Sequence, residues 1–374
     1  MKRALLLSSI HPATDPRIVY KTAPALASCF EVICALPEDS HTVKNTSSDI
    51  KMIWLPRYEG LLQRILFCHP VILWKCLRFR PEYVHIFVPE LIPVAILFKW
   101  LGAKIIYEVQ ENLYKKFEIK TYNNHPVFRL FFKRLDGYAR KQFHCIFTDD
   151  SYLSEYQNLK HPSVVIRNFV SLTFVDQYVA QNIKWQINRR SFFYCGVISM
   201  ERCFDTLVAA IASMTHQYPD LTVHLFGPVR FQEKDAEQLP DYHRVKKHLI
   251  FYGYTDLKKA LPYAKHCIAG IALLKPVADY PDSYTTKIFE YMALNLPVIT
   301  SDFPLYKDVV QKSDCGFCIP PDNASLLSKA MEWIISTPDK ARIMGNNGRL
   351  AAEKHYNWEK EQHYLLKFYS QISK

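Results

Sequence analysis

The sequence predicts an α/β protein with two open, doubly wound parallel sheets. Short apolar runs alternate with segments of helical spacing, the pattern of β-α-β units whose strands are buried on both faces. The chain has 374 residues, which suits two domains of roughly 150 residues each. The alternation weakens once, over Ser171–Arg190, into a polar stretch, and a second series of runs then begins.

In chain order, the first series reads as strands over Ala4–Ser9, Glu31–Leu36, Tyr83–Phe87, Lys104–Tyr107, Cys145–Thr148 and Val164–Arg167. Its opening, from Met1 to Ile10, imitates a secretion signal. The apolar run stops at His11-Pro12 with Asp15 behind it, so a first strand fits better. The second series reads as strands over Ser191–Gly196, Leu221–Gly227, His248–Gly253, Cys267–Leu274, Val298–Ser301 and Gly316–Pro320. Trp358–Ser373 places apolar residues at helical spacing and reads as a closing helix. The longest apolar stretches, near 61–79 and 91–101, are interrupted by Arg64, Lys75, Arg78 and Lys99, so neither makes a transmembrane helix. Two Rossmann-like halves joined near 171–190 are expected.

Composition narrows the chemistry. There are only ten glycines, and Gly345 and Gly348 are the only two close together. No G-x-G-x-x-G and no G-x-x-x-x-G-K-[ST] occurs, which argues against a standard dinucleotide fingerprint or a P-loop. The formal charge of +11, with +7 on residues 1–180, points to an anionic partner such as nucleotide phosphates, nucleic acid or a membrane surface. Ten cysteines in a chain of this size fit reduced structural thiols in the cytoplasm. The single C-x-x-C, Cys315 to Cys318, has no second pair to complete a zinc site. No D-x-D, H-E-x-x-H or spaced His/Cys cluster appears, and no metal site is expected.

The most informative segment runs from Asp282 to Asp302. Thr285 and Thr286 suit the N-cap of a helix running through Phe289–Leu294. Asn295 can end that helix in the left-handed conformation, and Pro297 blocks its continuation. The start of such a helix offers unpaired N–H groups to a diphosphate. Asp282 and Glu290, eight residues apart, can face one crevice and accept hydrogen bonds from sugar or ribose hydroxyls.

This segment resembles the E-x7-E block of glycosyltransferase family 4, with Asp282 and Glu290 in the two acidic positions. Further resemblances follow in order along the chain. Ser8 through Arg17 resembles the first-strand loop of bacterial exopolysaccharide and lipopolysaccharide members. Val84 through Pro93, with Glu90, resembles their "HxHDPELLP", and Ile106 through Asn112 their "IYDVHEN". Ile166-Arg-Asn168 matches "IxN", Tyr194 through Arg202 the "YxGxISxERG" phosphate loop, and Ile250 through Tyr254 the base-binding turn "VxFxGxV".

The resemblance implies the GT-B fold, two Rossmann-like doubly wound domains facing an interdomain cleft. The expected divisions are an acceptor-binding domain over 1–175, a nucleotide-sugar domain over 188–357 and the closing helix over 358–374. It also implies metal-independent transfer, with retention of configuration, from a UDP- or GDP-sugar to a glycan or lipid-linked acceptor in cell-surface polysaccharide synthesis. No cofactor beyond the nucleotide-sugar co-substrate is expected. By carry-over Glu290 binds the ribose and Asp282 a donor-sugar hydroxyl. Arg202, Lys287 and the N–H groups near Thr285 and Thr286 meet the diphosphate at the loop of Gly196. Gly253 and Tyr254 flank the base, Gln110 stands where the family has its His, and Asp15, Arg17 and Glu90 lie on the acceptor side.

The departures define an alternative, a catalytically degenerate GT-B protein that binds a nucleotide sugar or a partner transferase. Gln110 replaces the family His, Phe87-Val88 its "HD", Val197 its phosphate-loop Arg and Cys203 its Gly. Other residues have structural readings beside the functional ones: Asp15 and Arg17 as caps of the first helix, Asp282 as a turn residue, His85 as a satisfied core histidine. Residues 114–143 interleave basic and aromatic side chains, which suits either an anionic membrane surface or an amphipathic helix on the core. The first option would place the protein peripherally on the cytoplasmic face of the inner membrane. Nucleic acid is not an expected partner, since no recognised nucleic-acid fold pattern occurs.

Overall fold

The computed structural model describes residues 1–38, 49–58, 60–110, 126–183 and 190–373. The chain divides into two compact units, Met1–Asn168 with Trp358–Lys374, and Phe169–Asn357.

In the first unit the described strands are β1 (Arg3–Leu7), β2 (Glu31–Pro37), β3 (Ile50–Leu55), β4 (Tyr83–Ile86), β5 (Lys104–Val109), β6 (His144–Phe147) and β7 (Ser163–Val165). They form one sheet in the order β3-β2-β1-β4-β5-β6-β7, with every neighbouring pair parallel. Strand β3 is absent from the sequence expectation. It is the edge strand, and Lys51 breaks its apolar run. Successive residues of β1 serve opposite faces. Leu5 and Leu7 join one core with Cys68, Ile72, Phe98 and Phe143, while Ala4 and Leu6 join another with Leu26, Trp358 and Leu365. The first core lies under a helical run over 61–79 that contains α1 (His69–Cys76), under α2 (Ile92–Trp100) and under α3 (Pro126–Gln142). The part of the basic and aromatic stretch over 114–125 lies outside the described residues.

In the second unit Leu172–Val179 forms helix α4 within the stretch read as polar, and residues 184–189 lie outside the described residues. The Ser171 side chain caps α4 by accepting from the Phe174 N–H at 3.3 Å, and Val175 is buried. Strands β8 (Ser191–Cys195), β9 (Thr222–Phe226), β10 (Leu249–Gly253), β11 (Ala269–Ala272), β12 (Val298–Ser301) and β13 (Gly316–Ile319) follow. Their order is β10-β9-β8-β11-β12-β13, again all parallel. Helix α5 (Phe204–Met214) packs on one face of this sheet. Helices α6 (Thr286–Ala293) and α7 (Pro338–Lys354) contribute to the core on the other. The chain then forms α8 (Trp358–Ser373), as the closing pattern predicts, and α8 belongs to the first unit.

A buried charge network ties the first unit together. The Arg17 guanidinium clasps Glu108, Nε to Oε1 at 3.0 Å and Nη2 to Oε2 at 3.2 Å, and donates to the Ile166 and Arg167 carbonyls. It also lies 4.8 Å from the Trp358 ring of α8. His85 Nε2 lies 3.3 Å from Glu108 Oε2, and its Nδ1 meets the Tyr369 hydroxyl at 2.9 Å. Burial pushes the His85 imidazole below its usual range, which favours the neutral ring between Glu108 and Tyr369. Burial opposes ionisation of Glu108, but the Arg17 charge and the His85 hydrogen bond outweigh it and hold the carboxyl below the usual range.

Removing one partner of a buried pair exposes the cost of the other. Arg17→Met is expected to destabilise the protein by about 3–5 kcal/mol, read from denaturant midpoints. Because the folded pKa of Glu108 is depressed, its stabilisation is present above the unfolded value near ~4.3 and is lost as pH falls below it. Midpoints at descending pH should therefore drop in the wild type and drop less in Arg17→Met.

Candidate functional site

In an open parallel sheet, ligands bind beyond the strand C-termini where the strand order reverses. In the second unit that point lies between β8 and β11, which are neighbours in the sheet. Gly196 follows β8, and the segment from Asp282 into α6 follows β11.

Gly196 has φ +143° and donates its N–H to the Phe226 carbonyl at 2.7 Å. Gly227, after β9, has φ +144°, and a Cβ there would fall 1.9 Å from the Gly196 carbonyl oxygen. Both conformations are ones that side chains rarely adopt, so the loops after β8 and β9 touch through two glycines. Gly227 lacks a functional motif in the sequence. Its only signal is its position after a buried run in a chain with ten glycines.

Two cations converge on Gly196. A Cβ there would lie 3.6 Å from both Arg202 Nη1 and Lys287 Cδ. Arg202 ends a short 3₁₀ turn, Met200–Arg202, and its guanidinium lies 5.9 Å from the Tyr280 ring. Lys287 comes from the first turn of α6 and is buried. Its Nζ donates to the Tyr194 hydroxyl at 3.2 Å and lies 4.4 Å from that ring. The Tyr194 hydroxyl donates to the Val197 carbonyl, so its lone pair faces the ammonium. Burial, then the Arg202 charge, push the Lys287 ammonium well below the usual lysine range, with Glu290 acting in the opposite sense. An anion at Gly196 would relieve both effects, and oxygens of a diphosphate suit the pair.

Helix α6 is held by its buried side. The Tyr291 hydroxyl accepts from the Cys195 N–H at 3.1 Å and donates to the Ile271 carbonyl at 3.2 Å. Its ring lies where a Cβ on Gly270 would stand, 2.2 Å away, so β11 needs glycine at this point. Glu290, half-buried beside Tyr291, is near enough to Cys195 that its charge adds to the burial that raises that thiol. Thr285 occupies the N-cap of α6, yet its side chain makes no capping hydrogen bond, contrary to the sequence expectation. Thr286 begins the helix. The helix ends as expected, with Asn295 left-handed at φ +57°.

Asp282 lies in the exposed 3₁₀ turn Tyr280–Asp282, ahead of the helix. Gly253, at φ +68°, ends β10, and its carbonyl accepts from the Gly227 N–H at 2.8 Å. Tyr254 beside it is exposed. Gly196, Arg202, Lys287 and Glu290 thus form one cluster, and Gly253 joins it through Gly227. Cys203, where the family has glycine, keeps a left-handed φ of +59°. The residue differs, but the turn that presents Arg202 persists.

In the first unit the corresponding reversal lies between β1 and β4. Ser9, after β1, donates to Glu90 Oε1 at 2.5 Å, and Arg64 binds the same carboxylate at 2.6 and 3.3 Å. Asp15 accepts from the Ile18 N–H at 2.9 Å and caps the turn that follows. Arg17 is committed to Glu108 and two carbonyls. Gln110, after β5, donates from Nε2 to Glu108 Oε1 at 2.9 Å. Among the described residues no group of three or more His, Cys, Asp or Glu side chains is placed to hold a metal ion.

Comparison with known proteins bears on the fold. Residues 179–351 match the family model "Glycosyl transferases group 1". EpsD of Bacillus subtilis (strain 168), whose name includes the term glycosyltransferase, is 20% identical over 160 residues, 42% of this chain and 40% of its own length. The chain thus matches less than half the length of that relative. Sucrose-phosphate synthase from Thermosynechococcus elongatus superposes with a TM-score of 0.75 at 18% identity, covering 99% of this chain and 98% of that one. HepE of Anabaena, solved in complex with UDP-glucose, superposes with a TM-score of 0.71 at 13% identity over 99% of this chain and 100% of its own. These superpositions speak for the fold. The protein is one of GT-B fold, and its residues 179–351 match the model of glycosyl transferases group 1.

Proposed function

We propose that the chain is a retaining glycosyltransferase that moves one sugar from a UDP- or GDP-sugar to a glycan or lipid-linked acceptor in cell-surface polysaccharide synthesis. The observation that carries this is the convergence of Arg202 and buried Lys287 on Gly196 at the sheet reversal of the group 1 domain. HepE binding UDP-glucose makes UDP the first nucleotide to try. In the proposed reaction the bond from the anomeric carbon to the diphosphate oxygen breaks. The acceptor hydroxyl oxygen forms the new bond and gives its proton to an oxygen of the departing diphosphate. The charge left on the diphosphate is met by Arg202, Lys287 and the start of α6, so the protein's own cations supply the electrostatic stabilisation. Glu290 takes the ribose, Asp282 a sugar hydroxyl, and Gly253 with Tyr254 the base. The side holding Glu90, Asp15 and Gln110 receives the acceptor. Ten free cysteines fit a reducing cytoplasm.

A second reading follows from Gln110. Its amide nitrogen is bonded to Glu108, and an amide cannot titrate, so donor binding without transfer is the competing outcome.

Thermal melts with UDP, GDP, ADP and their sugar conjugates test the site. The matching nucleotide family should stabilise the wild type by about 2.7 kcal/mol at a hundredfold excess over Kd. Glu290→Ala should lose most of that shift. No shift with any nucleotide would remove the donor-site assignment, and binding without transfer or hydrolysis across an acceptor panel would select the second reading.

The Lys287 environment makes a separate prediction. Its ammonium is depressed in the free protein and a bound diphosphate restores it, so nucleotide binding should take up protons at pH values between the free and bound pKa. Calorimetry in buffers of different ionisation enthalpy should show this uptake in the wild type and lose it in Lys287→Met. Buffer-independent heats in the wild type would contradict it.

A further inference from the structure

The outer surface of the helical layer over β1, β4 and β5 breaks the ordinary pattern. Along 61–79 the inward stripe of Cys68, Ile72 and Cys76 fills the core. The opposite stripe at helical spacing should be polar, but it holds Leu66, Phe67, Pro70 and Trp74. Trp74 is 78% exposed. On α2, Trp100 is 74% exposed and the adjoining Leu101 69% exposed, while Leu130 and Phe131 of α3 are exposed as well. These segments share one core and cover one face of the sheet, so their outward residues face the same way.

The charge on this layer has one sign. Residues 60–81 and 91–107 contain no Asp or Glu. Residues 126–143 contain only Asp136, which is buried and bonded to Arg140 and the Tyr156 hydroxyl. Arg78, Arg80, Arg129 and Arg134 lie on the same segments and are themselves exposed. Exposed tryptophans and leucines within a basic border are the composition of a surface that sits in the headgroup region of an anionic leaflet. No described helix is long and apolar enough to cross a bilayer.

We infer that the outer face of the run over 61–79, α2 and the N-terminal half of α3 docks on an anionic lipid surface, with Trp74 and Trp100 inserted and the arginines on the headgroups. This surface goes beyond the donor chemistry and stands or falls apart from it. It extends well past the stretch over 114–143 that the sequence pattern singles out.

The full chain should sediment with vesicles containing phosphatidylglycerol and not with phosphatidylcholine alone, and its tryptophan emission should shift to the blue on binding. Trp74→Ser with Trp100→Ser should weaken vesicle binding roughly tenfold and remove the emission shift. Arg78→Glu with Arg134→Glu should remove the preference for anionic lipid. Both variants alter exposed side chains, so an unchanged melting transition and nucleotide-induced shift confirm folding. Failure of the wild type to bind anionic vesicles, or undiminished binding by the tryptophan variant, would overturn the inference. So would a concentration-dependent dimer in sedimentation velocity that the tryptophan variant abolishes, since a second copy would then be the occupant.

Discussion

The second unit is organised around a lysine whose charge is unfavourable where it stands. Lys287 is buried, a second cation lies close by, and the Tyr194 hydroxyl is its hydrogen-bond partner among the described residues. A free-standing ammonium gains little from this environment. The surrounding structure nevertheless fixes it. Tyr291 pins α6 to β8 and β11 from below, Gly270 makes room for that ring, Gly196 keeps a side chain out of the space beside Arg202 and Lys287, and Gly227 lets its loop touch the Gly196 backbone. Each feature costs some freedom or packing, and each is explained if an anion completes the site.

The first unit shows the same fold solving the opposite problem. Glu108 is buried more completely, but its carboxylate has a bidentate arginine, a histidine and the Gln110 amide around it. That charge is satisfied within the unit, and the helix α8 contributes Trp358 and Tyr369 to the arrangement. A closed network of this kind serves the fold. The difference explains why Arg17, attractive in the sequence as a site residue, is occupied, whereas Lys287 still has a side on which a ligand would improve its energy.

The sequence shows most clearly what burial on both faces dictates. Strands β2 and β8 are apolar runs after their first residue, and their positions follow directly from the sequence. Edge strand β3 escapes because one of its sides is wet and carries Lys51. The E-x7-E segment reveals α6 and Glu290, because caps, breakers and spacing are local signals. Tyr194, Gly227 and Gly270 matter through contacts with residues 21 to 93 positions away, and no local pattern carries those. Cys203 makes the converse point. Its change from the family glycine looked like damage to the phosphate loop, yet a left-handed cysteine keeps the turn at a cost of about 1–2 kcal/mol.

The helical run over 61–79 separates what folding requires from what it does not. Cys68, Ile72 and Cys76 face the core, and Arg64 reaches Glu90. Those contacts suffice to hold the run on the sheet, so the outward Leu66, Phe67 and Trp74 contribute nothing comparable to the fold. Exposed aromatic residues raise the tendency to aggregate, and a neutral substitution at any of them would reduce it. The run also lacks any acid that would break its basic border, although solvated helices ordinarily mix both signs. A surface that is costly in water and unnecessary for stability is accounted for by a second phase in which it is favourable. Because Arg64 belongs to the same run, that phase would lie one helix away from the Glu90 carboxylate, on the side proposed to take the acceptor.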